Sequence, residues 1–217
     1  MNTVALRHFL FGLIATFLAS MAQAQAPSAM VLSVEGDVSV EVLGKPGKLD
    51  AFTRLLEGDR VKLGKSAKLS LIYTRSSRQE SWTGPGAIVA GNAESTAVNG
   101  KPQVEVKQLP AKVAQMMAHT PAADSTGKAG MVRLRAIAQP DELASLEKTY
   151  QDLRASSPAN DRNPEVYFLA GLFKLGEYDR LNQEISAMQQ QNPGDESIKL
   201  LAKLYARSVD NARRNSR

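Results

Sequence analysis

VLSVEGDVSVEV, residues 31–42, sets the pattern for the first half of this chain. Valines alternate with polar residues in its second part, and Gly36-Asp37 interrupts the pattern. Apolar residues at every second position predict a strand that buries one face. The same period returns in residues 60–73 and extends to Val106, with turn sequences between the strands. Short strands with frequent turns predict a small all-β sandwich or barrel over residues 27–110.

After residue 130 the spacing of apolar residues becomes helical. From Leu143 and Leu146 onward they recur three or four positions apart, which aligns them on one side of a helix. Asn163-Pro164 predicts a helix cap followed by proline at the first helical position. Asn192-Pro193-Gly194-Asp195 predicts the end of one helix and the cap of the next. We therefore predict an all-α domain over residues 131–217.

Residues 111–130 join these two parts. The stretch is rich in Ala, Thr, Pro, Ser and Gly, which is typical of a linker. Val113, Met116 and Met117 leave room for one brief helix within it. The predicted fold class is α+β with segregated domains, a β domain followed by a helical one.

The helical part contains an internal repeat at an offset of 35 residues. The equivalent positions are Leu146 with Leu181, Tyr150 with Ile185, Leu153 with Met188 and Pro158 with Pro193; Met131, Leu134 and Ile137 also overlay Val166, Leu169 and Leu172. A period near 34 residues, with two helices per unit, is typical of a helical solenoid. The alternative is a plain helical bundle in which the prolines share that spacing.

The first 24 residues predict a secretory signal peptide. Arg7 and His8 precede an apolar run over residues 9–18, and Ala22-Gln23-Ala24 has the small residues of a cleavage site. The alternative is a membrane anchor, but the run has about half of the roughly 20 residues that a spanning helix needs. We predict cleavage after Ala24, a periplasmic location and no membrane span in the mature chain.

Composition argues against most catalytic chemistry. The chain has no cysteine and two histidines, and one of them, His8, lies in the predicted signal peptide. This excludes thiolate metal sites, zinc sites with several histidines and cysteine nucleophiles, and leaves His119 alone. The net charge of +5 is not concentrated in one region, so we expect no nucleic-acid binding. We predict no catalytic, cofactor-binding or metal-binding residues.

Three motifs in the β part occur in a recognisable order. They are Val34-Glu35-Gly36-Asp37-Val38-Ser39-Val40, Leu55-Leu56-Glu57-Gly58-Asp59-Arg60-Val61 and Trp82-Thr83-Gly84-Pro85-Gly86. With the alternating strand after Gly64, they make this part resemble the periplasmic domain of the FecR family. Leu63 departs from the threonine usual in that family. Its signalling members reach a sigma factor through a membrane helix, so the predicted signal peptide implies a related module that acts outside the cytoplasm.

The helical part resembles the tetratricopeptide family. Gly176-Glu177-Tyr178 matches the turn between paired helices, and Pro193 matches the closing proline. Leu169, Leu181 and Met188 stand where that family usually has small residues at helix crossings. The resemblance implies a degenerate repeat with a weakly defined peptide-binding groove.

Trp82, Tyr167 and Tyr178 are the predicted ligand or partner contacts. Trp82 offers a face for stacking on a sugar ring, although a single tryptophan in a small sheet is more often packed in the core. Tyr167 and Tyr178 either line the concave face of the repeat or belong to its core, and the core is expected for Phe168 and Phe173.

Other polar motifs have simpler explanations than catalysis. Glu35 with Asp37, and Glu57 with Asp59, flank glycines, as expected at turns between strands. Ser145 and Lys148 have the spacing of a serine acyl-enzyme motif, but they flank Leu146 of the apolar stripe and face solvent.

Three functions follow from these observations. The first is a non-enzymatic periplasmic adaptor that binds envelope proteins through both domains, in a secretion or polysaccharide-export assembly. The second is a module that binds peptidoglycan or exopolysaccharide, with Trp82 as its contact. The third, ranked lowest, is a hydrolase that uses Glu or Asp alone, with Glu57 and Asp59 as the residues to test.

Overall fold

The structure is a computed structural model that describes residues 27–42, 44–123 and 140–215. Within these ranges the strands are β1 (Ala29–Glu35), β2 (Val38–Val42), β3 (Lys45–Lys48), β4 (Arg54–Leu55), β5 (Arg60–Leu63), β6 (Lys68–Tyr73), β7 (Arg78–Thr83), β8 (Gly86–Ala90), β9 (Ser95–Gly100) and β10 (Gln103–Gln108). The helices are α1 (Ala111–Met117), α2 (Pro140–Ser156), α3 (Asn163–Leu175), α4 (Tyr178–Gln191) and α5 (Glu196–Asn215). The predicted α+β class with segregated parts is confirmed.

The strands form two antiparallel sheets of five. Sheet A has the order β10-β7-β6-β1-β4, and sheet B has the order β3-β2-β5-β8-β9. Four strands of sheet A each connect to the corresponding strand of sheet B, in the pairs β1–β2, β6–β5, β7–β8 and β10–β9. The β half thus contains four long segments, which we call ribbons, and each ribbon forms one strand in sheet A and one in sheet B. The ribbons lie side by side, and all four bend between the two sheets along one line, which we call the fold line. The sheets face each other as a sandwich and do not close into a barrel.

Close backbone contacts hold this fold line together. The Gly64 amide donates to the Asp37 carbonyl oxygen at 2.8 Å, and the Gly84 amide donates to the Ala67 carbonyl oxygen at 2.9 Å. A Cβ on Gly84 would overlap the Gly64 carbonyl oxygen. Glycine is therefore required there because neighbouring ribbons approach each other more closely than a side chain allows.

One apolar layer fills the space between the sheets. It contains Ala29, Val31, Val38, Val40, Leu49, Leu55, Val61, Leu63, Ala67, Leu69, Leu71, Tyr73, Trp82, Ile88 and Ala90. A bulge between Val31 and Ser33 lets Val31 and Val34 both contact this layer although they are three residues apart. The predicted strand alternation around Val38 and Val40 is the alternation of this inner face.

The helices cover the outer face of sheet A. Met30 and Ile72 point away from sheet B and join a second apolar cluster with Met117, Phe168 and Tyr205. Strand β1 is therefore buried on both faces, because sheet B covers one side and the helices cover the other. The two predicted domains share this cluster.

Polar contacts at the edge of this interface join the two halves. The side-chain amide nitrogen of Asn163 donates to Gln79 Oε1 at 2.7 Å, and Lys107 Nζ lies 3.2 Å from Asp161 Oδ2.

The prediction that Asn163 caps α3 is wrong. Asp161 Oδ1 instead accepts a hydrogen bond from the backbone amide of Asn163 at 2.9 Å, while the side chain of Asn163 bonds to Gln79 of sheet A. Asp195 caps α5 as predicted, accepting from the Ser197 amide at 2.9 Å.

One pair of helices, α2 and α4, has the spacing of the sequence repeat. Helix α2 ends at Ser156 and α4 ends at Gln191, which is 35 residues later. Gly176 ends α3 with a φ of 78°, as expected for the turn between paired helices. The small residue at a helix crossing is Gly171, where a Cβ would overlap the Leu146 side chain of α2.

Part of the predicted linker is folded. Helix α1 buries Val113, Ala114 and Met117 in the cluster shared by the two halves. Residue Ala123 forms a parallel bridge with Thr53 beside β4. Residues 124–139, the predicted signal peptide at residues 1–24 and the repeat positions Met131, Leu134 and Ile137 lie outside the described residues.

The substitution Gly84→Ala tests the fold line. Since a methyl group there overlaps the Gly64 carbonyl oxygen, the ribbons must separate. We expect the free energy of unfolding, measured by urea denaturation, to fall by about 1–3 kcal/mol. Gly194→Ala is the matched control, because its Cβ meets nothing within 4 Å. Equal stability of the two variants would contradict the close approach.

Candidate functional site

Trp82 is not placed to bind a sugar. It lies in β7 with 5% of its surface exposed, inside the layer between the sheets. Its Nε1 donates to Glu80 Oε2 at 2.9 Å. Both faces of the ring are packed, so the glycan-binding hypothesis loses the stacking residue on which it rested.

The two predicted tyrosines lie far from Trp82 in sequence, on the helical half. Tyr167 is 5% exposed and belongs to the shared apolar cluster. Tyr178 keeps a partly exposed ring at the start of α4, where it packs on Phe173 with ring centroids 5.9 Å apart. Arg213 Cζ lies 5.9 Å from the centroid of Tyr178. Phe168 and Phe173 are buried, as predicted.

A buried carboxylate organises the polar part of the sandwich. Glu80 is fully buried and accepts hydrogen bonds from Arg78 Nε at 2.7 Å, from Trp82 Nε1 and from the Ser95 amide at 3.1 Å. Since Ser95 begins β9, this carboxylate joins sheet A to sheet B. These contacts all lie within the protein, and the group is a structural tie between the sheets.

Tyr73 completes this cluster. Its hydroxyl lies 2.7 Å from Ser95 Oγ. Burial raises the pKa of Tyr73 to about 12; the hydrogen bond to Ser95 opposes the shift and the charge of Glu80 adds to it. The phenol is therefore neutral at physiological pH and acts as a hydrogen-bonding group of the core.

Exposed apolar side chains concentrate on the ribbon β9–β10. Among the described residues, the exposed large hydrophobic side chains are Val98 (46%), Val104 (41%) and Val106 (47%). In the antiparallel register Val104 lies opposite Trp82, and Val106 lies opposite Glu80. Residues paired in this way share a face of the sheet. The two valines thus continue the inner face of sheet A beyond the point where sheet B covers it.

The outer margin of β10 is a free strand edge. Strand β10 ends the order of sheet A, and all six of its residues are exposed. The opposite margin of the sandwich is protected: β4 has two residues, and β3 carries Pro46 between Lys45 and Lys48. Proline, lysine and short length are the usual means of blocking an edge. Strand β10 has no proline and keeps its edge accessible within the described structure.

A second polar region lies between α1 and sheet A. Arg54 Nη2 donates to the carbonyl oxygens of Ala118 and Thr120, at 3.1 and 3.4 Å. Burial lowers the pKa of Arg54, and burial, Lys174 and Arg54 together lower the pKa of His119. The hydroxyls of Thr120 and Tyr205 are close to each other, but neither makes a hydrogen bond of standard geometry. These groups fasten the segment after α1 to the core.

The carboxylate pairs are turn residues, as predicted. Asp59 Oδ2 accepts from the Leu56 amide at 2.8 Å, and Gly58 between Glu57 and Asp59 has a φ of 94°. Gly36 has a φ of 76° between Glu35 and Asp37.

Ser145 and Lys148 are exposed on α2, also as predicted. Lys148 Nζ pairs with Asp152 at 3.0 Å. In the part of the chain that the structure describes, no group of three or more His, Asp or Glu residues is arranged to hold a metal ion. No described helix is both long and apolar enough to cross a membrane.

No protein-family model matches this chain, and no curated protein or solved structure is similar enough to count as a match. The resemblances to the FecR and tetratricopeptide families therefore stay predictions.

Sequence reasoning identified Val104 and Val106 only as strand residues. Their alternation with Glu105 and Lys107 indicates a strand with one apolar face, but it does not reveal whether that face is covered. Whether a strand is central or at an edge depends on pairing with distant segments. The local signal that distinguishes these two edge strands is proline: Pro46 lies in β3, whereas β10 contains no proline.

Glu80→Gln tests the buried tie between the sheets. The amide keeps the shape, but it removes the charge that faces Arg78 and gives one acceptor atom in place of two. We expect the free energy of unfolding to fall by about 2–4 kcal/mol, measured by urea denaturation with Trp82 fluorescence as the probe. Glu94→Gln is the control, because Glu94 is an exposed carboxylate, 3.6 Å from the same arginine. A loss no larger than that of the control would contradict the role of Glu80.

The lowered pKa of His119 predicts a pH effect on stability. The unfolded chain has the ordinary value near 6.5, so the unfolded state binds more protons as the pH falls through that value. Stability is unaffected by His119 above this pH and decreases below it. We expect His119→Gln to show a smaller drop in Tm than the parent between about pH 7.5 and about pH 5.5. Parallel curves for the two proteins would refute this prediction.

Proposed function

We propose that this protein is a non-enzymatic periplasmic adaptor that binds envelope proteins in a secretion or polysaccharide-export assembly. The observation that carries the proposal is the free edge of β10, with Val104 and Val106 exposed beside it. Exposed apolar groups next to unpaired backbone are unusual on a surface that has no partner.

An extended segment of a protein is the ligand that suits this edge. Strand addition supplies hydrogen bonds between backbones, and side chains at alternate positions supply specificity. Val104 and Val106 offer the apolar contacts on one face, while Glu105 and Lys107 offer charged contacts on the other. Strands β9 and β10 carry no aromatic residue, so the edge lacks the stacking groups that carbohydrate recognition uses.

The proposed binding edge is attached to the helical half. Lys107 of β10 pairs with Asp161, which lies two residues before the start of α3, and Gln79 of the neighbouring strand bonds to Asn163. A partner held at the edge is thus held next to the helices. This arrangement supports an adaptor role in which the helical repeat contacts a second envelope component.

Site-specific photo-crosslinking in intact cells tests the proposal. A benzophenone amino acid replaces Val106 in one variant and Ser145, exposed on α2, in the matched control. We expect a light-dependent adduct with an envelope protein from position 106, identified by mass spectrometry, and we expect position 145 not to give that same adduct. The proposal fails if position 106 gives no adduct with another protein while the variant keeps the Tm of the parent, or if both positions give the same adducts.

A further inference from the structure

We infer that, when no partner strand is bound, β10 pairs antiparallel with the β10 of a second copy of this chain. This inference rests on the proposed function in one respect, because both use the free edge of β10. It adds a second state, in which that edge is covered by another copy of the chain. Self-pairing extends sheet A across two molecules and covers the edge that a partner would use.

The charges of β10 are complementary to themselves. The strand reads Gln103-Val104-Glu105-Val106-Lys107-Gln108. When Val106 lies opposite Val106 of the second copy, Glu105 lies opposite Lys107, and the twofold symmetry repeats that pair. Oppositely charged residues facing each other across antiparallel strands stabilise the pairing.

Neighbouring symmetric registers are unfavourable. Centring the pair on Glu105 places two carboxylates opposite each other, and centring it on Lys107 places two ammonium groups opposite each other. Like charges at directly opposed positions destabilise a strand pair. The register centred on Val106 is therefore selected by charge.

The two faces of β10 fit this arrangement. Glu105 and Lys107 lie opposite Ser81 and Gln79, on the face of sheet A that turns towards the helices. Lys107 is half exposed although it contacts Asp161, and Glu105 is exposed with no cationic partner among the described residues. A second copy supplies that missing partner.

Val104 and Val106 lie on the other face. Pairing through Val106 buries apolar surface that one molecule leaves in water. Six residues of one strand nevertheless make a small interface, and small interfaces bind weakly. The dimer is thus reversible, and a better-fitting partner strand displaces the second copy.

A charge-exchange cycle tests the inference. Self-association of the purified full chain is measured by sedimentation equilibrium over a range of concentrations. Glu105→Lys and Lys107→Glu each turn two attractive pairs into repulsive ones, so we expect each to raise the dimer Kd about tenfold. The double variant Glu105→Lys/Lys107→Glu restores both pairs, so we expect its Kd to fall below that of either single variant, although Lys107→Glu also removes the counterion of Asp161. Glu142→Lys, at an exposed site on α2, is the control and leaves the Kd unchanged.

A disulfide trap reports the register. Because the chain has no cysteine, Val106→Cys makes every disulfide report on that position. Directly opposed strand residues have Cα atoms about 4.5–5.5 Å apart, within the range of a disulfide. We expect Val106→Cys to form a covalent dimer under mild oxidation, and Val98→Cys on β9 to form much less.

Three results would overturn the inference: a parent protein that stays monomeric at every concentration, a double variant whose Kd is no lower than that of either single variant, or equal disulfide yields at positions 98 and 106. Failure here is separable from failure of the proposed function. A monomer that still crosslinks an envelope protein through position 106 refutes only the dimer, and a dimer without such crosslinks refutes only the adaptor role.

Discussion

The close backbone approach at the fold line is the constraint on which the rest of the structure depends. Four ribbons turn from sheet A into sheet B along this line, and amide-to-carbonyl bonds from Gly64 and Gly84 join the first three of them there. Because the ribbons bend together, the register of one sheet sets the register of the other. That common register stacks the apolar faces, brings Glu80 beneath Ser95 and leaves the last ribbon, β9–β10, at the margin.

Burial is distributed unevenly over the ribbons. The first, β1–β2, lies one strand in from the margin of each sheet, and its β1 segment is covered by sheet B on one face and by helices on the other. The last has a ribbon on one side only and is fastened at its start by Ser95, whose amide bonds to Glu80. Because the apolar residues are concentrated in the first ribbons, the last ribbon keeps accessible backbone groups, as a binding edge requires.

The sequence predicted the elements better than their surroundings. Strand alternation around Val38 and Val40, the helical spacing from Leu146 and the cap at Asp195 depend on neighbouring residues, and all appear in the structure. Core packing of Trp82, the more usual of its two alternatives, is found, but its partners in sheet B could not be derived from local sequence. The sequence predicts a cap at Asn163 because its position suits one, but the side chain of Asn163 donates instead to Gln79 of the β half. The exposure of Val106 likewise follows from strand order.

The carboxylate of Asp161 takes part in two interactions, one with α3 and one with β10. Asp161 accepts from the Asn163 amide through Oδ1, at the first turn of α3, and holds Lys107 through Oδ2. Any acidic group that draws Lys107 towards itself leaves Asp161 without its counterion, and the local electrostatic potential at the start of α3 becomes more negative. Binding of such a group at the edge of β10 therefore changes the electrostatic potential at the start of α3, and this change needs no movement of the backbone. The effect weakens with ionic strength, because Lys107 is half in solvent.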